Sequence, residues 1–166
     1  VGHVLSLESQ VGAWHQGYGD PCGTVFVDLK AAFPSLSRSF LFWVLKAMKI
    51  PSKVLRLLKA LYHDCTTVLQ LLGTELPGFV LADGLKQGCP TSGVVFALST
   101  DPFLRYAVSR LSPCSFALRA FADDLAFACR YLLKAMPMIM GLMKLLTLAT
   151  GMALNISKTV VVPWFK

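Results

Sequence analysis

The sequence predicts one α+β domain in which a largely antiparallel sheet carries helices on one face. Three observations support this prediction. The chain has 166 residues, a length that suits a single core. It is 55% hydrophobic and only 15% charged, as expected of a globular chain. Short β-branched and aromatic runs are interspersed with longer apolar stretches of helical length, and no repeat or internal linker interrupts them.

The elements can be placed in order from turn residues and caps. Ser35 or Ser37 can cap the first helix after the first strand, and Pro51 separates that helix from a second one, which Ser52 can cap. Gly151 is expected to end the last helix. In chain order we predict a helix over 4–14, a strand over 24–28, helices to residue 49 and over 52–63, a hairpin over 66–81, a long helix after residue 93 that is interrupted near 101–102, strands over 115–121 and 125–129, a helix over 131–149, and a return strand over 152–164.

The second helix has two faces of different chemistry. Its basic side carries Lys53, Arg56 and Lys59, and this face is either solvated or binds nucleic acid. Its predicted apolar stripe consists of Val54, Leu55, Leu58, Leu61 and Tyr62.

Composition limits the function classes. A net charge of +7 favours polyanionic partners. No uncharged run reaches the roughly 20 apolar residues of a spanning helix, so we expect no membrane partner. An odd number of cysteines without a C-x-x-C pair argues against zinc and predicts an intracellular, reducing compartment; they are Cys22, Cys65, Cys89, Cys114 and Cys129.

The acidic residues are few and unevenly placed. Asp123 and Asp124 form the one adjacent acidic pair among nine Asp and Glu, and they lie between two predicted strands. Asp28 ends another predicted strand. If these strands are neighbours, three carboxylates converge at one sheet edge, where hard oxygen ligands suit Mg²⁺. The alternative is that Asp123 and Asp124 simply form a turn, where Asp is common.

Four blocks follow one another along the chain. They are residues 25–33 (VFVDLKAAF), 84–92 (GLKQGCPTS), 121–124 (FADD) and 150–159 (TGMALNISKT). In this order they resemble motifs A, B, C and D of the palm of reverse transcriptases, most closely those of non-LTR retrotransposons, and the third block looks like the motif C hairpin. The resemblance implies a polymerase palm of ferredoxin-like topology over residues 23–166, with residues 1–22 as a segment connecting fingers to palm.

The resemblance also assigns the metal ligands. It implies that Asp28 and Asp123 bridge two Mg²⁺ ions, for which Mn²⁺ can substitute, and that Asp124 supports them less directly. Two such ions promote in-line transfer of a nucleotide to a primer 3′-hydroxyl. Lys158 matches the motif D lysine, which would neutralise phosphate charge or protonate pyrophosphate; the alternative is an exposed turn lysine.

Further positions match the nucleotide and template contacts of the family. Leu29, Phe33, Gln87 and Gly88 take these roles: Phe33 would close the pocket beneath the sugar and exclude a 2′-hydroxyl, and Gly88 would allow close approach of the backbone. Phe33 could instead be a core aromatic. Three departures from the family pattern are Pro34, which we expect to hold Phe33 in an extended conformation, Gly93, and the absence of a basic residue at Ala31 and Ala32.

The implied activity is that of an RNA-directed DNA polymerase acting on an RNA template, a DNA primer and deoxynucleoside triphosphates. Fingers before residue 1 and a thumb after residue 166 would complete it, and the isolated segment is expected to have little activity. Two alternatives remain. One is an RNA-dependent RNA polymerase palm, against which Phe33 and the Phe121-Ala122 pair argue. The other is a degenerate fragment that binds nucleic acid or protein without catalysis.

Overall fold

The computed structural model describes residues 2–18, 21–112 and 114–164. The helices are α1 (Gly2–Tyr18), α2 (Ala32–Ser35), α3 (Arg38–Ala47), α4 (Ser52–Leu61), α5 (Ser92–Arg110) and α6 (Leu132–Thr150). The strands are β1 (Gly23–Val27), β2 (Leu29–Lys30), β3 (Thr66–Leu71), β4 (Thr74–Val80), β5 (Phe116–Phe121), β6 (Asp124–Cys129), β7 (Ala153–Leu154) and β8 (Val160–Pro163).

Four antiparallel strands form the central sheet in the order β5-β6-β1-β8. The first strand therefore lies between the β5–β6 hairpin and the last strand. Helices α2 to α5 connect β1 to the hairpin, and α6 leads from the hairpin towards β8. This is the predicted ferredoxin-like α+β arrangement, which is confirmed.

The main core lies on one face of this sheet. Alternate side chains of β1 and β6 point into it, with Val25, Val27, Leu125 and Phe127 all buried, as the two-residue period of a strand requires. Helices α3, α5 and α6 cover them with a further set of buried side chains, including Leu41, Leu45, Phe96, Phe103, Ile139 and Leu146.

Helix α1 packs against the opposite face, so helices lie on both faces of the sheet, whereas the sequence predicted them on one. Its Leu7 and Val11 are buried in a second, smaller cluster with Ala117 of β5 and Ala128 of β6. These partners lie in the half of the hairpin away from its turn, so α1 leaves the turn end of this outer face open. There, Phe121 is 78% exposed.

The prediction that the motif B helix is interrupted near Pro102 is wrong. Helix α5 continues through Pro102 to Arg110. A proline inside a helix removes one backbone hydrogen bond and costs about 3 kcal/mol. Burial of Phe96, Phe103 and Ala107 on either side of the proline favours the continuous helix, and this tertiary packing outweighs the local penalty.

The predicted extended conformation of Phe33 is also wrong. Phe33 and Pro34 both lie in the one-turn helix α2, which the hydrogen bond from Ser35 N to Ala31 O closes at 2.9 Å. Proline is tolerated in a first helical turn because the amides there have no intrahelical partner. The strain falls on Ala31 instead, which has a φ of 43°.

Two predictions for α3 and α4 have different outcomes. Ser37 caps α3 by accepting a hydrogen bond from the Phe40 amide, as expected. Ser52 does not cap α4, because Pro51 occupies the cap position and Ser52 is already helical.

The predicted apolar stripe of α4 is buried only in part. Leu58 is buried in the helix, whereas Val54 and Leu61 are exposed.

Helix α6 is the single helix, within the part of the chain that is described, that is long and apolar enough to cross a membrane. It is also a central core helix, in which Ile139, Leu142 and Leu146 are buried against the sheet and its neighbouring helices. Gly151 ends it in the left-handed conformation, with a φ of 82°, as predicted.

Candidate active site

The strand register brings the predicted acidic residues to one end of the sheet. The β1–β6 ladder ends with Val27 opposite Leu125. One step further, Asp28 leaves β1 and Asp124 begins β6. Backbones of paired antiparallel strands lie only about 4.5–5.5 Å apart. Because Val27 and Leu125 face the core, alternation directs Asp28 and Asp124 towards the outer face, which α1 leaves open at this end.

Asp123 lies at the tip of the β5–β6 hairpin. Phe121 pairs with Asp124, so Ala122 and Asp123 form a two-residue turn. Ala122 adopts a φ of 52°, a left-handed conformation that suits the twist of such hairpins. The Asp123 side chain is half-buried and that of Asp124 is exposed. All three acids therefore lie at one sheet end, two of them on the same tight turn.

The Asp28 carboxylate is held by motif D. Asn155 donates from its side-chain amide to Asp28 Oδ2 at 2.7 Å, and its backbone amide donates to the Asp28 carbonyl at 2.9 Å. These bonds extend the short β2–β7 ladder, in which Leu29 pairs with Leu154. From sequence, Asn155 could be interpreted as a turn residue that also lies within motif D, but its partner could not be predicted. Its partner is 127 positions away, and no local pattern could have revealed it.

The motif B loop is fixed at both ends and exposed at its tip. Near its start, Leu85 N donates to Phe33 O at 2.8 Å, which joins motif B directly to motif A. At its end, the Ser92 hydroxyl donates to Lys86 O at 2.7 Å. Between these anchors Gln87 and Gly88 are exposed. This geometry presents the glutamine to solvent beside the motif A turn.

Arg38 fastens the segment that precedes this loop. Its guanidinium donates to the carbonyls of Gly84 at 2.9 Å, Tyr62 at 3.0 Å and Leu81 at 2.7 Å. Its backbone amide also donates to the Asp83 carboxylate at 2.9 Å. Sequence reasoning missed Arg38, because three partners distant in sequence define its role.

A close backbone approach within the protein itself occurs at Gly84, while the approach predicted at Gly88 stays a prediction. A Cβ at Gly84 would collide with the Pro34 backbone, including its carbonyl oxygen, whereas a Cβ at Gly88 would meet no atom within 4 Å. Gly88 does adopt a positive φ of 79°, so its conformational freedom is used. In the sequence, the one feature that could have indicated this close packing is the position of Gly84 at the start of motif B.

Phe33 is half-buried and stacks on Phe96 of α5, with ring centroids 4.4 Å apart and an interplanar angle of 12°. It therefore packs against the core at the end of motif A, where its carbonyl also accepts from Leu85 of motif B. Leu29 is buried, so its side chain belongs to the core. Lys158 lies in the exposed 155–159 turn, where its amide donates to Asn155 O at 3.2 Å.

The carboxylates of this candidate site suit a Mg²⁺ ion that binds together with the substrate. Over residues 2–18, 21–112 and 114–164, no three His, Cys, Asp or Glu side chains form a group that could hold a metal ion. Mg²⁺ in polymerase sites is usually held by one or two carboxylates together with water and substrate phosphates. Asp28 and Asp123, at one open sheet end, fit this mode of binding.

The reactivity of Cys89, compared with that of the buried Cys129, tests the structure of the motif B loop. Hydrogen bonding to Thr91 lowers the pKa of the Cys89 thiol, whereas burial raises the pKa of Cys129 to about 12. The thiolate is the reactive form, and a lowered pKa populates it at lower pH. We expect iodoacetamide at pH 8 to modify Cys89 and spare Cys129, as read by peptide mass spectrometry. Equal labelling of both thiols in the folded protein would contradict this environment.

Comparison with known proteins identifies the family. The pattern of the family described as reverse transcriptase (RNA-dependent DNA polymerase) matches residues 8–164. The chain belongs to the reverse transcriptase family. The match includes motifs A to D and confirms the resemblance seen in the sequence.

Two curated proteins of mobile elements are similar to this reverse transcriptase domain. It is 32% identical over 108 residues to the retrovirus-related Pol polyprotein from type-2 retrotransposable element R2DM of Drosophila melanogaster, which covers 63% of this chain and 10% of that protein. It is 26% identical over 105 residues to the transposon TX1 uncharacterized 149 kDa protein of Xenopus laevis, covering 59% and 8%. The chain thus matches about a tenth or less of these relatives' length, and both relatives belong to mobile elements.

Solved structures share the fold. Telomerase from Candida albicans, solved with a fragment of telomeric RNA, superposes with a TM-score of 0.76 at 12% identity and covers 97% of this chain and 30% of that one. A corresponding telomerase from Candida tropicalis has a TM-score of 0.74 at 14% identity, covering 98% and 29%. At these identities the likeness concerns architecture alone, and it confirms the predicted palm.

Proposed function

We propose that this reverse transcriptase domain is the palm of an RNA-directed DNA polymerase that transfers deoxynucleotides to a primer 3′-hydroxyl. The observation that carries the proposal is the β1–β6 register, in which Asp28 follows the Val27–Leu125 pair beside the Asp123-Asp124 turn. Asp28 and Asp123 would hold two Mg²⁺ ions, with Asp124 in support. When bound, such ions activate the attacking hydroxyl and stabilise the leaving oxygen of the phosphoryl transfer.

The remaining residues of the proposed site bind and orient the substrates. Gln87 and Gly88, on the exposed loop tip, contact the incoming nucleotide and the template. Lys158, on the solvent-facing motif D turn, is available to phosphate oxygens or to the pyrophosphate leaving group. Leu29 directly follows Asp28 and would contact the nucleotide through its backbone, because its side chain is buried. The description of the matching family, RNA-dependent DNA polymerase, supports an RNA template, and the proposed partner that is extended is a DNA primer.

Primer extension by the natural full-length protein tests the proposal. On an RNA template with Mg²⁺, we expect deoxynucleotides to be incorporated in preference to ribonucleotides. Preferential use of ribonucleotides would instead indicate an RNA polymerase, and no extension by a folded protein that still binds the duplex would indicate a non-catalytic descendant. We expect the binding of the hybrid to weaken steeply with added salt, because phosphate contacts dominate such binding.

Replacing Phe33 by valine is expected to weaken the discrimination against ribonucleotides. The Phe33 ring, at the end of motif A, is held against α5 by its stacking on Phe96. Removing the ring opens space where a 2′-hydroxyl would fit. A pocket change of this size is worth roughly 10–100-fold in selectivity. The ratio of kcat/KM for deoxynucleotides to that for ribonucleotides measures the change.

Phe40→Val is the matched control for this experiment. Phe40 is likewise half-buried and packs on an aromatic neighbour, Trp43, but it lies in α3 away from the motif A turn. The control should retain the wild-type ratio. Equal losses of discrimination in both variants would argue that Phe33 acts only through packing.

A further inference from the structure

The contact between Asn155 and Asp28 joins two motifs that are far apart in sequence. Both side chains are half-buried, and the bond from Asn155 Nδ2 to Asp28 Oδ2 is short, at 2.7 Å. Among the described residues, Asn155 is the one donor to the Asp28 carboxylate, and it bonds Oδ2 and not Oδ1. One oxygen is thus occupied by a neutral donor, which leaves the other for a cation.

The backbone holds the Asn155 side chain in register with its partner. Asn155 N donates to Asp28 O at 2.9 Å, directly beyond the Leu29–Leu154 pair. The two residues therefore face each other across a ladder. Any residue other than proline at position 155 keeps this backbone donor, so a substitution can remove the side-chain contacts of Asn155 while the backbone bond persists.

Asn155 also organises the turn that carries Lys158. Its carbonyl accepts bonds from the amides of Lys158 at 3.2 Å and Thr159 at 3.0 Å, and from the Thr159 hydroxyl at 2.9 Å. Its side-chain oxygen accepts from the Ser157 hydroxyl at 2.9 Å. The amide therefore has a fixed orientation, with its oxygen towards Ser157 and its nitrogen towards Asp28.

We propose that Asn155 is a positioning residue that orients the Asp28 carboxylate for a divalent cation by donating to its Oδ2. Groups that hydrogen-bond to metal ligands fix the ligand's orientation, and their loss costs roughly 10–100-fold in metal affinity or activity. This inference rests on the proposed function, because it takes Asp28 as a metal ligand. It adds a residue whose own side chain contacts neither metal nor substrate.

The test measures Mn²⁺ binding by electron paramagnetic resonance and Mn²⁺-induced thermal stabilisation in three variants. Asn155→Ala is expected to raise the Mn²⁺ dissociation constant roughly tenfold or more while the metal-free protein stays folded. Asp28→Asn should weaken binding at least as much. In the Asp28→Asn background, Asn155→Ala should cause no further loss, because the two residues would act as one unit.

Ser157→Ala is the matched control, because it removes the hydroxyl on the other side of the same amide group. It should change the Mn²⁺ affinity by less than about twofold if the contact to Asp28 is what matters. An Asn155→Ala protein that melts earlier but binds Mn²⁺ as tightly as wild type would overturn the inference and leave the proposed function intact. Unchanged binding in Asp28→Asn would overturn both.

Discussion

Asp123→Asn is expected to lower primer extension by the full-length protein about a thousandfold or more, which corresponds to roughly 4 kcal/mol of lost transition-state stabilisation. Asparagine keeps the size and shape of the side chain at the hairpin tip, so the turn between Phe121 and Asp124 should persist. It removes the negative charge that a divalent cation requires. Single-turnover extension with saturating nucleotide measures the effect on the chemical step.

Asp64→Asn is the control for this charge change. Asp64 is also exposed and lies in a turn next to His63, just before the separate β3–β4 hairpin. This variant should extend primers at the wild-type rate. Full activity of a folded Asp123→Asn protein would refute the assignment of the site, and an equal loss in Asp64→Asn would point to a general effect of charge.

Gly84→Ala is expected to destabilise the fold by about 3 kcal/mol or more. Its φ is 84°, which costs an alanine about 1–2 kcal/mol. Its added methyl group would also lie 2.7 Å from both Cα and C of Pro34 and closer still to the Pro34 oxygen. Backbone atoms cannot move aside as a side-chain end can, and overpacking of this kind adds about 1–3 kcal/mol. Urea unfolding measures the free energy.

Gly88→Ala separates strain from collision. Gly88 has nearly the same φ, 79°, but an added Cβ would meet no atom within 4 Å. Its cost should therefore be limited to about 1–2 kcal/mol of backbone strain. If the two variants unfold at the same urea concentration, the close packing of the motif B loop on α2 does not contribute to stability.

Much of the fold could be predicted where local signals and tertiary structure agree. The β-branched run before Asp28, the β5–β6 hairpin around the acidic pair and the stop at Gly151 all combine strong propensity with the final packing. Prediction failed at Pro34 and Pro102. At both positions a helix continues through a proline, once because the residue lies in a first turn and once because buried side chains hold the helix on either side.

The candidate site likewise contains features that the sequence predicts and features that it does not. The three carboxylates could be found because they belong to compact motifs, and antiparallel pairing then accounts for their meeting at one end of the sheet. The contacts that hold these motifs together could not be predicted. Arg38 contacts carbonyls 24 to 46 positions away, and Asn155 contacts a carboxylate 127 positions away. Such partnerships are created only when the chain folds.

Metal binding by the folded chain tests the central claim most directly, because it asks whether Asp28 and the hairpin tip share a cation. Titration with Mn²⁺ in the presence of a deoxynucleoside triphosphate and primer-template should show binding that is weakened roughly tenfold or more by Asp28→Asn and by Asp123→Asn separately. The double variant should be little worse than either single one, since both remove ligands of one site. Wild-type affinity in either single variant, or fully additive losses from independent sites, would contradict a shared site at this end of the sheet.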